Sequence, residues 1–387
     1  MSQGSEVLLL YEIGLLVVVS SIASELFKRL RLPSLIGPIL VGVFIGGPGG
    51  LGLVTDLTVI NVLAVLGSVL ILFTIGLEFE ASAFMRSGKS AFLLTTSGVI
   101  VSMLAGYVIG LTLGWSPQAA FLLGVVIAPS GTSVISALLS SMGKVDTKTG
   151  STLLTACIID DVEGVLLLTI ALNVITAKTL SASNILWAGL VATFFIVVSI
   201  FIGGRLFPTL IPRLGRVFSD EALSVVLLGL GLMLAFAATQ VGLAAITGAF
   251  IMGAIIPYRK VGEKLVHRFF LTKEMFAAIF FTSVGLSINP YEIPTILPIA
   301  LPVLAIALSA RLIGGTIGAA LAGFRNKALL TLATGLAIRA EMSLIIAREG
   351  VASGIVADEF LGLTAVLVIG SIIIILPTFS RITKSIR

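Results

Sequence analysis

Three acidic residues stand close together in "CIIDDVEG", residues 157–164, inside an otherwise apolar stretch. Asp160 and Asp161 are adjacent, and Glu163 follows two residues later. An unpaired carboxylate at the centre of a membrane-spanning helix costs roughly 2.5–3.5 kcal/mol. Acids retained at such a cost mark ion paths or proton relays, so these three side chains are the first candidates for chemistry.

Asp160 and Asp161 are neighbours on one predicted helix, so their side chains point in directions about 100° apart. One carboxylate can therefore pair with a base while the other faces a water-filled cavity. Partial desolvation in such a cavity favours the protonated form, so the group can hold a proton and exchange it for a cation. The alternative is an ion pair that only holds helices together, and it fits Asp160 better than Asp161.

Two residues lie three positions from Asp160, on nearly the same helix face. Glu163 either extends an ion-pair network around Asp160 or lies near a water-exposed vestibule, and the residues alone leave both open. Cys157 is expected to be a small packing residue rather than a redox switch.

Two basic residues fall inside apolar segments. Arg311 lies in "LAIALSARLIGGTIGA", where small residues permit close helix packing, and its forked guanidinium suits a carboxylate. We expect it to pair with Asp160, with Glu163 as the alternative. Arg339 and Glu341, in "LAIRAEMSL", are expected to pair with each other or with other buried charges, in a structural or a gating role.

The segment 117–141 contains "APSGTSV". Pro129 removes a helical donor and Gly131 loosens the chain, so the helix should break near the bilayer centre. A break exposes helix ends and carbonyl groups that can bind a cation, with the hydroxyl groups of Thr132 and Ser133 nearby. A simple proline kink is the alternative.

The composition requires a membrane around these residues. Of 387 residues, 57% are hydrophobic and only 11% are charged, whereas soluble domains carry roughly 25% charged residues. The basic residues are spread over short loops, which does not indicate nucleic-acid binding. The single Cys157 and the single His267 exclude a disulfide framework and a histidine metal cluster. No nucleophile–base arrangement or cofactor loop stands out, so we expect neither an enzyme nor a cofactor.

The apolar runs have the length of membrane-spanning helices and lack the alternation of a barrel. We predict an all-α protein with thirteen such helices, the first being a mature span rather than a signal peptide. They lie near residues 7–27, 34–47, 58–78, 90–114, 117–141, 149–175, 184–206, 221–239, 243–257, 273–288, 293–323, 326–352 and 359–380.

Loop charges predict the orientation. With the N-terminus outside and the C-terminus in the cytoplasm, most of the 24 basic residues fall in cytoplasmic loops, as the positive-inside rule requires. The opposite loops hold only Lys178 and Arg348. The cytoplasmic residues are Lys28, Arg29, Arg31, Arg86, Lys89, Lys144, Lys148, Arg205, Arg213, Arg216, Arg259, Lys260, Lys264, Arg268, Lys273, Arg325, Lys327, Arg381, Lys384 and Arg387.

The two halves of the chain resemble each other. "LIGPILVGVFIGG" matches "ITGAFIMGAII", and "GVVIAPSGTSVIS" matches "GLAIRAEMSLIIA" at the same separation. The paired segments begin on opposite sides of the membrane, which predicts inverted repeats at 7–175 and 221–380, joined by a helix at 184–206. Inverted repeats are typical of transporters with a site near the membrane centre.

"IIDDVEG" resembles the paired-aspartate motif of monovalent cation/proton antiporters of the NapA and KefC-like branch. "LPSLIGPILVGVFIGGPGGLGLV", "LFTIGLEFE", "AAITGAFIMGAIIP", "FFTSVGLSI" and "RAEMSLIIA" are similar to other recurring segments of that family, almost from end to end. The resemblance implies an NhaA-like fold with two crossing broken helices. It also implies a core domain that includes 90–175 and 293–380, a dimerisation domain that includes 7–47 and 184–257, and an elevator motion in a homodimer.

Carried over by motif position, Asp161 would be the main carrier of cation and proton. Asp160 would be its neighbour that pairs with a base, and Thr132 would line the crossing, so Na⁺ is expected at Asp161, Asp160 and Thr132. Electrogenic members typically have Lys where this chain has Arg311, which favours electroneutral exchange. Glu163 departs from the family, which more often has an apolar residue there.

Together these features predict a secondary-active Na⁺/H⁺ antiporter of the plasma membrane that moves Na⁺, Li⁺ or K⁺ against H⁺. A K⁺/H⁺ antiporter resembling KefC-like efflux systems is the first alternative. The KefC type usually has Gln in place of the first aspartate, which favours sodium here. A sodium-coupled organic-anion symporter and an ion channel are further alternatives.

Overall fold

The computed structural model describes residues 3–30, 32–46, 50–54, 57–77, 81–176, 182–256 and 263–384, and all their regular secondary structure is helical. The predicted all-α class is confirmed. The described helices are α1 (Gln3–Arg29), α2 (Ile36–Ile45), α3 (Leu57–Leu77), α4 (Ala81–Thr112), α5 (Pro117–Ile127), α6 (Thr132–Ser141), α7 (Lys148–Thr176), α8 (Ala182–Leu214), α9 (Asp220–Gln240), α10 (Ala245–Ile255), α11 (Glu263–Leu286), α12 (Ile293–Leu321), α13 (Asn326–Leu336), α14 (Glu341–Ala352) and α15 (Glu359–Lys384).

The chain divides into two compact units, each built from two separate stretches of sequence. Unit 1 comprises Met1–Glu80 and Leu186–Tyr291, and unit 2 comprises Ala81–Ile185 and Glu292–Arg387. Of the loop residues used above for the orientation, five lie outside the described residues: Arg31, Lys178, Arg259, Lys260 and Arg387.

In unit 1 the short apolar helices α2 and α10 pack against the longer helices α11 and α3 respectively. A buried hydrogen bond of 2.6 Å between the hydroxyl groups of Ser20 and Thr282 joins α1 to α11. A core cluster is formed by Leu16, Ile45, Val54, Ile60, Ile279 and Leu286.

In unit 2 the long helix α4 packs against α5, α7 and α12, while α15 covers α12, α13 and α14. Helix α5 starts at Pro117 because Ser116 caps it: the Ser116 hydroxyl accepts a hydrogen bond of 3.2 Å from the Ala119 backbone N–H. Pro129 lies just beyond its last residue, Ile127, and cannot continue the hydrogen-bond ladder. Unit 2 therefore contains the interruption predicted within 117–141.

Among the described residues, nine stretches are long and apolar enough to cross a membrane, and α2 and α10 are shorter apolar helices. The protein is therefore a multi-pass membrane protein. Helix α7 is outside that set because every window of 18 residues within it contains Asp160, Asp161 and Glu163. The acids that suggest a function are thus the ones that make this helix look less like a span.

Candidate functional site: two interrupted helices and a paired aspartate

Two helical segments of unit 2 are interrupted at similar points. Residues 128–131 separate α5 from α6, and residues 337–340 separate α13 from α14. The interruptions lie against each other, because the Gly131 backbone N–H donates a 2.8 Å hydrogen bond to the Ile338 carbonyl oxygen. Helix ends with free polar groups therefore meet inside the protein, where water is scarce.

Asp160 lies beside this meeting point and is fully buried. Its Oδ2 accepts a 2.6 Å hydrogen bond from the Ser130 backbone N–H and a 2.6 Å charge-assisted bond from Arg311 Nη2. The buried Arg311 guanidinium also donates from Nε to the carbonyl oxygen of Leu336, at 3.2 Å. The ion pair expected from the sequence is present, and it ties α7 and α12 to both interrupted segments.

Asp161 is also fully buried but has a different environment. Its Oδ2 accepts a 2.8 Å hydrogen bond from the hydroxyl group of Thr132, the first residue of α6. The same hydroxyl lies 3.4 Å from the Cys157 carbonyl oxygen. Carboxylate, hydroxyl and carbonyl oxygens are ligands of hard cations, so this corner has the donor atoms that an alkali-metal ion requires.

Ser133 and Glu341 form a second polar contact between the interrupted helices. The Ser133 backbone N–H and hydroxyl donate to the two carboxylate oxygens of Glu341, at 3.1 and 2.7 Å. The carboxylate therefore lies at the N-terminus of α6, where the helix dipole favours a negative charge. Ser133, predicted as an ion ligand, bonds to Glu341 in this structure.

Arg339 bonds to backbone carbonyl groups. Its Nη1 and Nη2 donate to the carbonyl oxygens of Pro129 and Ala307, at 3.2 and 2.8 Å, and its own N–H donates to the Ser371 hydroxyl at 3.0 Å. The expectation that Arg339 and Glu341 pair with each other or with other buried charges is wrong for the described residues. Each instead satisfies polar groups left open by a helix interruption.

Residues 14–384 match the sequence model of a protein family that is described as "Sodium/hydrogen exchanger, transmembrane". The chain belongs to the sodium/hydrogen exchanger family. The resemblance to monovalent cation/proton antiporters seen in the sequence is thereby confirmed. Members of this family are transporters, as predicted.

This exchanger is similar to named bacterial and archaeal proteins. The Na⁺/H⁺-K⁺ antiporter GerN of Bacillus cereus is 28% identical, with 97% of this chain and 98% of the relative covered. A Na⁺/H⁺ antiporter of Enterococcus hirae is 26% identical, with 96% and 97% covered. The solved structure of the sodium proton antiporter MjNhaP1 of Methanocaldococcus jannaschii matches with a TM-score of 0.74 at 16% identity, over 98% of this chain and 96% of that chain, which shows the shared fold.

Glu163 of the exchanger is half-buried, and its Oε1 accepts a short hydrogen bond from the hydroxyl of Thr96 in α4. No ion pair links it to Arg311 within the described part of the chain. Thr96 was not predicted as a partner of Glu163. The polar run Thr95–Ser97 inside an apolar segment could have indicated a polar contact there. Its bond to Glu163 joins α4 to α7 close to the aspartate pair.

Gly131 permits the close approach of the two interruptions in the exchanger. A Cβ atom there would lie 2.6 Å from the Cβ of Ala340 and 3.0 Å from its backbone N. We expect Gly131→Ala to lower the free energy of unfolding by about 1–3 kcal/mol, the usual cost of overpacking. Thermal unfolding of the purified protein in detergent measures this.

Gly229→Ala is the matched control, because a Cβ atom at that position in α9 meets nothing within 4 Å. It should unfold at or slightly above the wild-type temperature, since alanine favours helix over glycine. Equal unfolding temperatures for Gly131→Ala and the wild type would contradict the close approach.

Proposed function

We propose that this exchanger is a secondary-active Na⁺/H⁺ antiporter in which cation and proton bind alternately to Asp161. The observation that carries the proposal is the division between the two aspartates. Asp160 is engaged by Arg311, whereas Asp161 lies beside the Thr132 hydroxyl, which is itself 3.4 Å from the Cys157 carbonyl oxygen. The names of GerN and the Enterococcus hirae relative, both of which include Na⁺/H⁺, support sodium as the cation.

The proposed sodium ligands are Asp161, Thr132 and Asp160. In the described residues Asp160 Oδ1 is buried and accepts no hydrogen bond, so it is the oxygen that Asp160 can offer to a cation. Ser133, the next residue along α6, is proposed as an additional ligand when its hydroxyl turns from Glu341. Arg311, Arg339, Glu341 and Glu163 are assigned to holding this arrangement.

Coupling follows from the cost of moving charge through a low-dielectric barrier. A carboxylate neutralised by Na⁺ or H⁺ crosses far more easily than a bare one, so the site moves only when it is occupied. We assign the moving core to unit 2, which contains 90–175 and 293–380. The dimerisation domain, which includes 7–47 and 184–257, is assigned to unit 1. Residues 184 and 185 are the exception, because they belong to unit 2. An elevator motion of unit 2 in a homodimer accounts for alternating access.

The proposed topology has thirteen spans in two inverted repeats. The nine candidate spans supply most of them, and α2, α7, α10 and α11 supply the rest. The plasma membrane, an outside N-terminus and a cytoplasmic C-terminus belong to the same proposal, on the positive-inside rule.

The test of cation identity is proton movement in proteoliposomes given Na⁺, Li⁺ or K⁺ in turn. We expect Na⁺ and Li⁺ to drive exchange and K⁺ to be weak. The name of GerN also includes K⁺, so K⁺/H⁺ exchange is the second candidate function. Faster exchange with K⁺ than with Na⁺ would favour this second candidate over Na⁺/H⁺ exchange.

We also expect one-for-one, electroneutral exchange. An arginine side chain does not act as a proton carrier in the way that a lysine can, so this position supplies no second proton to the cycle. Exchange by the wild type should therefore be unaffected when the membrane potential is clamped at different values. Arg311→Lys, whose amine can lose a proton, is the comparison, and a clear potential dependence of the wild type would contradict the role given to Arg311.

A further inference from the structure

Unit 2 contains a cavity of about 420 Å³ at the end where α4 ends and where α5, α12 and α15 begin. Three separate parts of the chain line it. Trp115 comes from the α4–α5 connection, Thr295 and Ile299 from the first turns of α12, and Glu359 and Phe360 from the start of α15. Its volume lies within the range of roughly 300–1,000 Å³ typical of sites for small organic molecules.

The walls of this cavity are mainly apolar and aromatic. The rings of Trp115 and Phe360 meet edge to face, with centroids 5.9 Å apart and an interplanar angle of 61°. Glu359 supplies a carboxylate, and the lining, which lies wholly within the described residues, includes no lysine or arginine. Aromatic faces and a carboxylate both attract a positive charge, while an anion would be repelled.

We propose that this cavity binds a small organic ammonium ion that has an apolar body. The apolar body lies against Trp115, Phe360 and Ile299, and the ammonium group lies beside Glu359. The lining shares no residue with the proposed sodium site, so this is a second site for a different class of cation. It does not depend on the identity of the transported ion.

The two tryptophans of the chain give a direct test. Trp187 is 69% exposed on α8, so Trp187→Phe should be tolerated and leaves Trp115 as the only indole reporter. The fluorescence of this variant in detergent is titrated with three probes of one shape: 3-phenylpropylammonium, 3-phenylpropanol and 3-phenylpropanoate. We expect saturable binding of the ammonium probe, about tenfold tighter than that of the alcohol, and the weakest binding for the carboxylate.

Three further substitutions in the Trp187→Phe background locate the binding. Glu359→Gln should remove the preference for the ammonium probe, and Ile299→Phe should weaken its binding by filling the cavity. Asp358→Asn is the matched control, because Asp358 is the adjacent exposed acid and does not line the cavity. It should bind the probes as the parent does, and the unfolding temperature of each variant in detergent verifies that the protein is folded.

Two results would overturn the inference. The absence of saturable binding of the ammonium probe would exclude the site. Equal affinities for the alcohol and ammonium probes, unchanged by Glu359→Gln, would show that the cavity accepts any apolar molecule, including a lipid chain.

Discussion

Asp161→Asn should reduce Na⁺-driven proton movement to the level of protein-free liposomes. The amide keeps the size of the side chain and can still accept the hydrogen bond from Thr132. It can neither take up a proton nor carry the charge that balances a cation, so both halves of the exchange are lost together. Proton movement in proteoliposomes over a range of Na⁺ concentrations measures the effect.

Asp358→Asn serves as the control for this substitution, since Asp358 is an exposed acid immediately before α15 and takes no part in the proposed sodium site. It should exchange at the wild-type rate. Asp161→Asn should also unfold close to the wild-type temperature, which separates loss of transport from loss of structure. Exchange by Asp161→Asn at more than a small fraction of the wild-type rate would rule out Asp161 as the shared carrier.

Arg311→Met should strongly destabilise unit 2. It leaves Asp160 fully buried without the guanidinium that now lies 2.6 Å away, and it removes the donor to the Leu336 carbonyl oxygen. Breaking a buried ion pair from one side typically costs about 3–5 kcal/mol, because the remaining charge is uncompensated. We expect a large fall in unfolding temperature and in the yield of folded protein.

A double-mutant cycle separates the ion pair from simple packing. Asp160→Asn in the Arg311→Met background removes the uncompensated charge, so the double variant should be more stable than Arg311→Met alone. Additive losses in the two single variants would show that the pair contributes no coupling. Methionine is chosen because the side chain at position 311 has little free space around it. A Cβ atom at Gly98 would lie only 2.8 Å from Arg311 Nη1, so a side chain larger than arginine would not fit.

Part of the place where the two interruptions meet could be predicted because its determinants are local. Pro129 and Gly131 interrupt a helix wherever that helix lies, and the interruption appears between α5 and α6. The Asp160–Arg311 pair was predictable for a different reason. Few ionisable residues lie within the apolar segments, so a buried carboxylate has few possible partners there.

The partners of Arg339 and Glu341 could not be read from the sequence. Both bond to groups that become available only where the two interruptions meet: the Pro129 carbonyl oxygen and the N-terminus of α6. The sequence shows which charged side chains need partners. It does not show which backbone N–H or carbonyl groups will be free at a helix end, because every residue has them. The Thr96–Glu163 bond was missed similarly, because the packing of α4 on α7 depends on tertiary structure.

The hydrophobic pattern also located helices better than it grouped them. Each unit takes one stretch from each half of the chain, so helices far apart in sequence are neighbours, as with α4 and α12. The periodicity of a single helix contains little information about such pairings.

The central claim is that Na⁺ and H⁺ compete for one carboxyl group at Asp161. The most direct test is the apparent KM for Na⁺ of the wild type in proteoliposomes, measured at a series of pH values. Competition for a single protonatable site predicts that the apparent KM rises about tenfold for each unit that the pH falls, at pH values where that carboxyl group is mostly protonated. The maximal rate should change little. A KM for Na⁺ that stays constant while only the maximal rate changes with pH would contradict the claim.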